Sequence, residues 1–258
     1  MKAWSGKQVR ESFNDIPSVL YYTRAAHYLG LWESERLLFA RFLPGKETDI
    51  LEAGCGAGRV TLGLWRLGYR HICAFDFAAE LLDQARSLAA EKGASISFAC
   101  ADATRVGPSA LGRRPGEAFG AALFMFNGLM QIPGRGNRRS ALRCLHALCA
   151  VGAPLIFTSH DRDHASAEGG LWAAERGRWL SGTRDPSLSD FGDRRFRDES
   201  GEVFINIPSR PEVIEDLEAT GWEPHFDAMR SELARETPAV ADFSDDCRFW
   251  VSRRGPGA

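Results

Sequence analysis

Three acids and one glycine turn carry the chemistry that is legible in this chain. Glycines stand at 54, 56 and 58 in the run DILEAGCGAG, and Glu52 lies two residues before the first of them. Glycine at alternate positions lets the backbone turn sharply with no Cβ in the way, so a ligand can lie against bare peptide at the start of a helix. The next apolar run, residues 71–75, ends in Asp76, 22 residues beyond Gly54, and a third, residues 96–100, is followed by Asp102. The spacing G-x-G-x-G departs from the G-x-G-x-x-G of dinucleotide sites, and a carboxylate at Glu52 repels a pyrophosphate. A ligand carrying positive charge fits better. S-adenosyl-L-methionine, with its ammonium and sulfonium, matches Glu52 near the turn, Asp76 on the ribose hydroxyls and Asp102 on the adenine amino group.

At these residues the chain resembles the class I S-adenosyl-L-methionine-dependent methyltransferases. EAGCGAG is similar to their first motif, Asp76 to their ribose-binding acid, and CADAT to their adenine-contacting acid and the residue after it. The resemblance runs from about Asp49 to His160, and FNGLMQIPGRGNR, FTSHDRD, FGDR and CRFWV resemble signatures of a bacterial branch of these enzymes. It implies an α/β fold: a Rossmann-like doubly wound seven-stranded sheet, mostly parallel with the last strand antiparallel, carrying N-terminal helices and an insertion after the fifth strand. It implies S-adenosyl-L-methionine held by Glu52, Gly54, Cys55, Gly56, Gly58, Asp76, Phe77, Asp102, Ala103, Phe126 and Asn127, and transfer of its methyl group; the near-neutral charge and the lack of a basic groove favour a small-molecule acceptor, with a protein substrate left open. Two other readings stay open, an NAD-dependent oxidoreductase and a non-catalytic protein that binds S-adenosylmethionine or S-adenosylhomocysteine.

Ligands of open α/β sheets sit at the carboxyl ends of the strands, which draws attention to Asn127 and His160 after the fourth and fifth strands. Asn127 is a candidate to orient the acceptor or hold the cofactor's amino end; its amide can equally cap the turn before Gly128. His160 is the candidate general base, since an imidazole titrating near neutrality can take a proton from a hydroxyl or amine. With Asp161, Asp163 and His164 it forms a polar knot whose donor types also suit a divalent metal or a solvated loop, and no residue is assigned to a metal. Arg135, Arg138 and Arg139 open a helix and read as a grip for a substrate carboxylate or phosphate, or as a solvated face. Arg194, Arg195 and Arg197 among Asp190, Asp193 and Asp198 read as surface ion pairs. Tyr21, Tyr22, Arg135, His160 and His164 are the candidate substrate contacts, with Tyr21, Tyr22 and His27 either closing the site or simply packing.

The elements that position these residues follow from periodicity. Residues 17–43 show helical spacing of apolar side chains and predict two helices of an N-terminal cap, residues 1–45, ahead of a cofactor domain over 46–258. Helices are expected over 59–67, 78–92 and 137–150, the first two stopped by Gly68 and Gly93, with strands between them and at 118–126 and 153–159. The polar stretch from about 161 to 201, anchored by Trp172, Trp179 and Phe191, is the expected insertion. A strand at 203–207, a helix at 210–220 and strands at 222–229 and 247–252 complete the pattern, and only the tail at 255–258 reads as disordered.

With 32 basic and 34 acidic residues the net charge is −2, so charge makes no case for nucleic acid or an anionic membrane as partner. The partner expected is a small-molecule acceptor, and the assembly a monomer or homodimer. Six cysteines without C-x-x-C pairing read as reduced, mostly buried small hydrophobes. No apolar stretch of about 18 residues is present and the first residues lack a signal-peptide core, so a soluble cytoplasmic protein is expected.

Overall fold

A computed structural model describes residues 3–164 and 169–256 of the chain. Three helices come first: α1 (Gly6–Phe13), α2 (Ile16–Tyr28) and α3 (Glu33–Phe42). Strands and helices then alternate as β1 (Ile50–Ala53), α4 (Arg59–Arg66), β2 (Ile72–Asp76), α5 (Ala79–Glu91), β3 (Ser97–Cys100), β4 (Ala121–Phe124), α6 (Arg135–Leu148) and β5 (Pro154–Ser159). Beyond them lie α7 (Gly169–Leu180), β6 (Asp193–Asp198), β7 (Gly201–Asn206), α8 (Arg210–Glu218), β8 (Trp222–Met229), α9 (Arg230–Leu233), α10 (Pro238–Phe243) and β9 (Arg248–Arg254).

Seven strands form one sheet in the order β3-β2-β1-β4-β5-β9-β8. The first five are parallel, with Ile50 opposite both Ile72 and Ala121, and β9 runs antiparallel between β5 and β8. This is the expected seven-stranded architecture. All residues of β1, β2, β4 and β5 are buried, because parallel strands with crossover helices on both faces leave no face for water. Strand order reverses between β1 and β4: the chain leaves β1 outward through β2 and β3, then returns to the other side. The carboxyl ends of β1 and β4 therefore splay their connections in opposite directions and open a crevice there.

Several expected elements end early or are new. The fourth strand stops at Phe124 rather than 126, because Phe126 and Asn127 turn left-handed at φ 53° and 58°. The strand expected at 203–207 is present as β7, but it pairs with β6 in a separate two-stranded sheet, so it belongs with the inserted segment. Helix α1 was not anticipated: only Val9 and Ser12 of it are buried, and a reciprocal Ser5/Gln8 capping box fixes its start. The anchors of the insertion do meet, Trp172 and Trp179 each placing a ring centroid 6.0 Å from Phe191. The expected ion pairs of the arginines are present, but with glutamates: Arg195 and Arg197 each lie 4.0 Å from Glu202, and Arg194 lies 3.7 Å from Glu175. Arg194 sits over Trp172, 4.1 Å from its centroid, Asp190 takes Arg138, and Asp193 accepts from the Ser189 and Asp190 N–H groups and from Asn206.

All six cysteines are free, and Cys100, unlike most of the others, is exposed. No helix among the described residues is long and apolar enough to cross a membrane. Residues 257 and 258 of the tail lie outside the described residues, as do 165–168 of the insertion.

Close packing joins the N-terminal helices to the sheet layer. A Cβ on Gly63 of α4 would lie 2.2 Å from Leu31 Cγ. Replacing glycine in a helix by alanine normally gains about 0.5–1 kcal/mol, whereas forcing a methyl into a filled core costs about 1–3 kcal/mol. Gly63→Ala should therefore lower the urea midpoint; a midpoint at or above wild type would show that Leu31 yields freely.

Candidate functional site

The crevice between β1 and β4 opens into a cavity of about 330 Å³. Its floor is the glycine turn. Gly54, Gly56 and Gly58 adopt φ of 62°, 51° and 86°, values that L side chains resist. A Cβ on Gly54 would meet Phe124 at 2.5 Å and one on Gly58 would press Ala85 at 3.2 Å, so these two glycines serve close packing. Gly56 differs: a Cβ there meets nothing within 4 Å and would project into open space. The peptide at Gly56 is therefore the bare surface that the spacing foretold.

Glu52, Asp76 and Asp102 converge on this cavity together with Cys55, Phe77, Ala103 and Phe126. Asp76, at the end of β2, accepts the Gly56 N–H on Oδ2 and the Ala78 N–H on Oδ1, both at 2.8 Å, and so ties the turn to the neighbouring strand. Asp102 accepts the Thr104 N–H and hydroxyl on one oxygen, at 2.9 and 2.7 Å. Glu52 is 2 % exposed and accepts from the Thr61 hydroxyl. Burial pushes the Glu52 carboxyl up to about 8, against which the Thr61 hydrogen bond and the Arg59 charge act only partly. Burial likewise raises Asp76, offset in part by its backbone donors.

The cation nearest Glu52 is engaged elsewhere. Arg59 makes a two-pronged pair with Glu35 of α3 at 2.7 and 2.6 Å, donates to the Gly30 carbonyl at 2.8 Å and lies over the Trp32 ring. Such a fork holds guanidinium and carboxylate in one plane and leaves little charge for a third group. Neither Glu35 nor Arg59 was singled out in the sequence, where a charge on each of two helices gives no sign of pairing across 24 residues.

Other expected site residues lie apart. His160 does not line the cavity. Its Nδ1 meets the Asp246 carbonyl and its Nε2 the Asn127 amide nitrogen, each at 3.1 Å. A carbonyl accepts only, so Nδ1 carries the proton and the Nε2 lone pair is taken by Asn127. In this geometry His160 braces Asn127 against the Asp246 backbone. Asn127 donates its N–H to Thr158 Oγ1 at 2.8 Å, which with His160 pins the left-handed pair Phe126–Asn127. Each such residue costs of order 1–3 kcal/mol, and Phe126 bears it while presenting its ring to the cavity.

The Asp161 carboxylate pairs with Arg248 at 2.8 Å, and His164 is exposed. Among the described residues no three His, Cys, Asp or Glu side chains are grouped to hold a metal. Arg135 and Arg139 both bind Asp216 and Glu215 of α8, and Arg138 binds Asp190. Arg135 and Arg139 thus clamp α6 to α8, and Arg138 ties α6 to the segment before β6. Tyr21 donates to the Phe243 carbonyl and stacks on that ring at 4.7 Å, outside the cavity, whereas Tyr22 lines it; His27 is exposed. The sequence reading missed Gly6, Val9 and Phe13 of α1, Gln131 after β4 and Phe243 of α10, all of which line the cavity.

Parallel β-α-β alternation, the reversal at β1 and β4, and an acid-flanked glycine turn define a Rossmann-like domain of the class I methyltransferase type. Residues 50–152 match the family described as a methyltransferase domain. No curated protein matches it. Among solved structures it is similar in fold to an S-adenosylmethionine-dependent methyltransferase from Methanosarcina mazei, at 16% identity and TM-score 0.66 over 88% of this chain and 100% of that one. The (4+2)-cyclase SpnF is similar at 18% identity and TM-score 0.68, over 100% of this chain and 99% of that one. So is the 1,6-didemethyltoxoflavin-N1-methyltransferase of Burkholderia thailandensis, at 18% identity and TM-score 0.60, over 97% and 89%.

The donor set fits the cofactor of this family. Acidic and hydroxyl-binding groups surround a bare peptide, and a buried acid has no cation of its own. A carboxyl whose folded value lies above its unfolded 4.5 favours folding most when protonated, so its contribution is full below about 4.5 and is lost as pH rises through about 8. Relative to Glu52→Gln, the ligand-free wild type should lose stability between pH 5 and 8. Parallel urea titrations at the two pH values check this, and identical pH dependence of the two proteins would refute it.

Proposed function

We propose that this chain transfers a methyl group from S-adenosyl-L-methionine to a small-molecule acceptor. The observation that supports this most is the convergence of Glu52, Asp76 and Asp102 with the open face of Gly56 on one cavity at the strand-order reversal. Glu52 takes the cationic amino end, Asp76 the ribose hydroxyls through the lone pairs its backbone donors leave unused, and Asp102 and Ala103 the adenine. Phe77 and Phe126 close over these groups. Bound there, the cofactor supplies a methyl carbon already activated by positive sulfur, so alignment by the protein is the main requirement.

Small-molecule acceptance is favoured by the contribution of α1, α2 and α10 to the lining of a concave pocket. One solved structure of similar fold is a 1,6-didemethyltoxoflavin-N1-methyltransferase with 1,6-didemethyltoxoflavin and S-adenosylhomocysteine bound. Another is a cyclase, so the fold alone does not fix the reaction. An NAD-dependent oxidoreductase shares the acid at Asp76 but is disfavoured, because the turn lacks G-x-G-x-x-G and Glu52 stands beside the place a pyrophosphate needs.

Isothermal titration tests the reading. Wild type should bind S-adenosylmethionine and S-adenosylhomocysteine but not NADH, and Gly56→Val should abolish binding while the sheet stays folded by circular dichroism. Wild-type affinity in Gly56→Val would sink it. Because a cation arriving beside Glu52 ionises a carboxyl raised to about 8, binding near pH 7 should also release close to one proton. Titration in buffers of different ionisation enthalpy measures that release, which Glu52→Gln should remove.

A further inference from the structure

Five aromatic side chains from five separate parts of the fold make one continuous wall of the cavity. Phe77 follows β2, Phe13 ends α1, Tyr22 lies in α2, Phe126 follows β4 and Phe243 ends α10. Their centroids step from Phe77 to Phe13 at 5.9 Å, to Tyr22 at 5.6 Å, to Phe126 at 6.0 Å and to Phe243 at 5.2 Å. A core needs apolar volume, but it does not need rings drawn from five elements and turned toward an open space. Phe126 is held there by a left-handed backbone that phenylalanine does not favour.

Charge narrows the occupant. The described lining includes three acids but no lysine or histidine, and its one arginine is held by Glu35. An anionic acceptor would face Glu52, Asp76 and Asp102 with no free cation to meet it. The lining also lacks a base: burial raises both the Tyr22 hydroxyl and the Cys55 thiol, and the three acids are assigned to the methyl donor. What remains to hold a polar atom is neutral, chiefly the Tyr22 hydroxyl and the Gln131 amide.

Resting on the methyltransferase reading, we propose that the acceptor is an uncharged planar heteroaromatic compound, stacked on the Phe13, Tyr22 and Phe243 part of this ring wall, whose nucleophilic nitrogen carries a free lone pair. That lone pair forms the new N–C bond as the C–S bond of the donor breaks, and the C–S electron pair stays on sulfur. Positive charge passes to the heterocycle, where the ring faces stabilise it. Any proton on that nitrogen leaves afterwards to water, so no side-chain base is required.

The test measures binding to protein saturated with S-adenosylhomocysteine, using quinoline as the neutral probe and quinoline-4-carboxylate as its anionic counterpart. Quinoline should bind at least about fivefold more tightly than the carboxylate, and Phe243→Leu, which keeps apolar volume but removes the ring, should weaken quinoline by a similar factor. Phe13→Leu repeats the comparison on a second element, and thermal melting verifies that both variants fold. Equal or tighter binding of the carboxylate, no quinoline binding, or undiminished affinity in both folded variants would overturn the proposal. Failure of S-adenosylhomocysteine itself to bind sinks the underlying reading as well, which separates the two kinds of failure.

Discussion

Buried carboxyl groups deprived of a counter-cation are the constraint on which the site depends. Glu52 and Asp76 are 2 % and 6 % exposed, and desolvation at such depth disfavours the charged form. Asp76 keeps its place through two backbone N–H donors. Glu52 has only a hydroxyl. The arginine that stands nearby is directed by Glu35 and Gly30 away from the acids and toward the helices that precede the sheet. A cavity kept short of positive charge in this way selects a ligand that brings its own.

The same pairing explains how the N-terminal helices belong to the site. Glu35 sits in α3 and Arg59 begins α4 directly after the glycine turn, so their fork ties the helical segment to the turn's far end. Gly63 one turn later admits Leu31 against the helix. The site's upper wall, Phe13 and Tyr22, thus rests on the element that carries its floor.

Sequence disclosed what local backbone geometry demands and little of what distant partners decide. Gly54, Gly56 and Gly58 were readable because their positive φ values exclude most other residues, and Asp76 and Asp102 because they follow strands of plain apolar pattern. Alternation and handedness pointed to a parallel sheet covered on both faces, while the count of seven strands and the antiparallel ending came from the resemblance. His160 was legible as a residue at a strand end but not as a brace, since its partners Asn127 and Asp246 lie 33 and 86 positions away. Arg135 and Arg139 suggested ligand binding at a helix start; their acids sit about 80 residues on, in α8, where nothing marks them. Helix α1 escaped because a short polar helix held by its cap leaves almost no apolar period. Phe243 escaped because α10 spans only 6 residues.

The placement of β9 bears on how the molecule is made. It is the last of the seven strands in chain order, yet it lies inside the sheet, with β5 on one flank and β8 on the other. Phe249, Trp250 and Val251 are each at most 1 % exposed. Until the ribosome delivers them, β5 keeps an open edge and β8 has no neighbour through which to join the parallel strands. The nascent protein must shelter that gap for the whole interval, a window in which a chaperone or a strand of another molecule competes for the vacant slot.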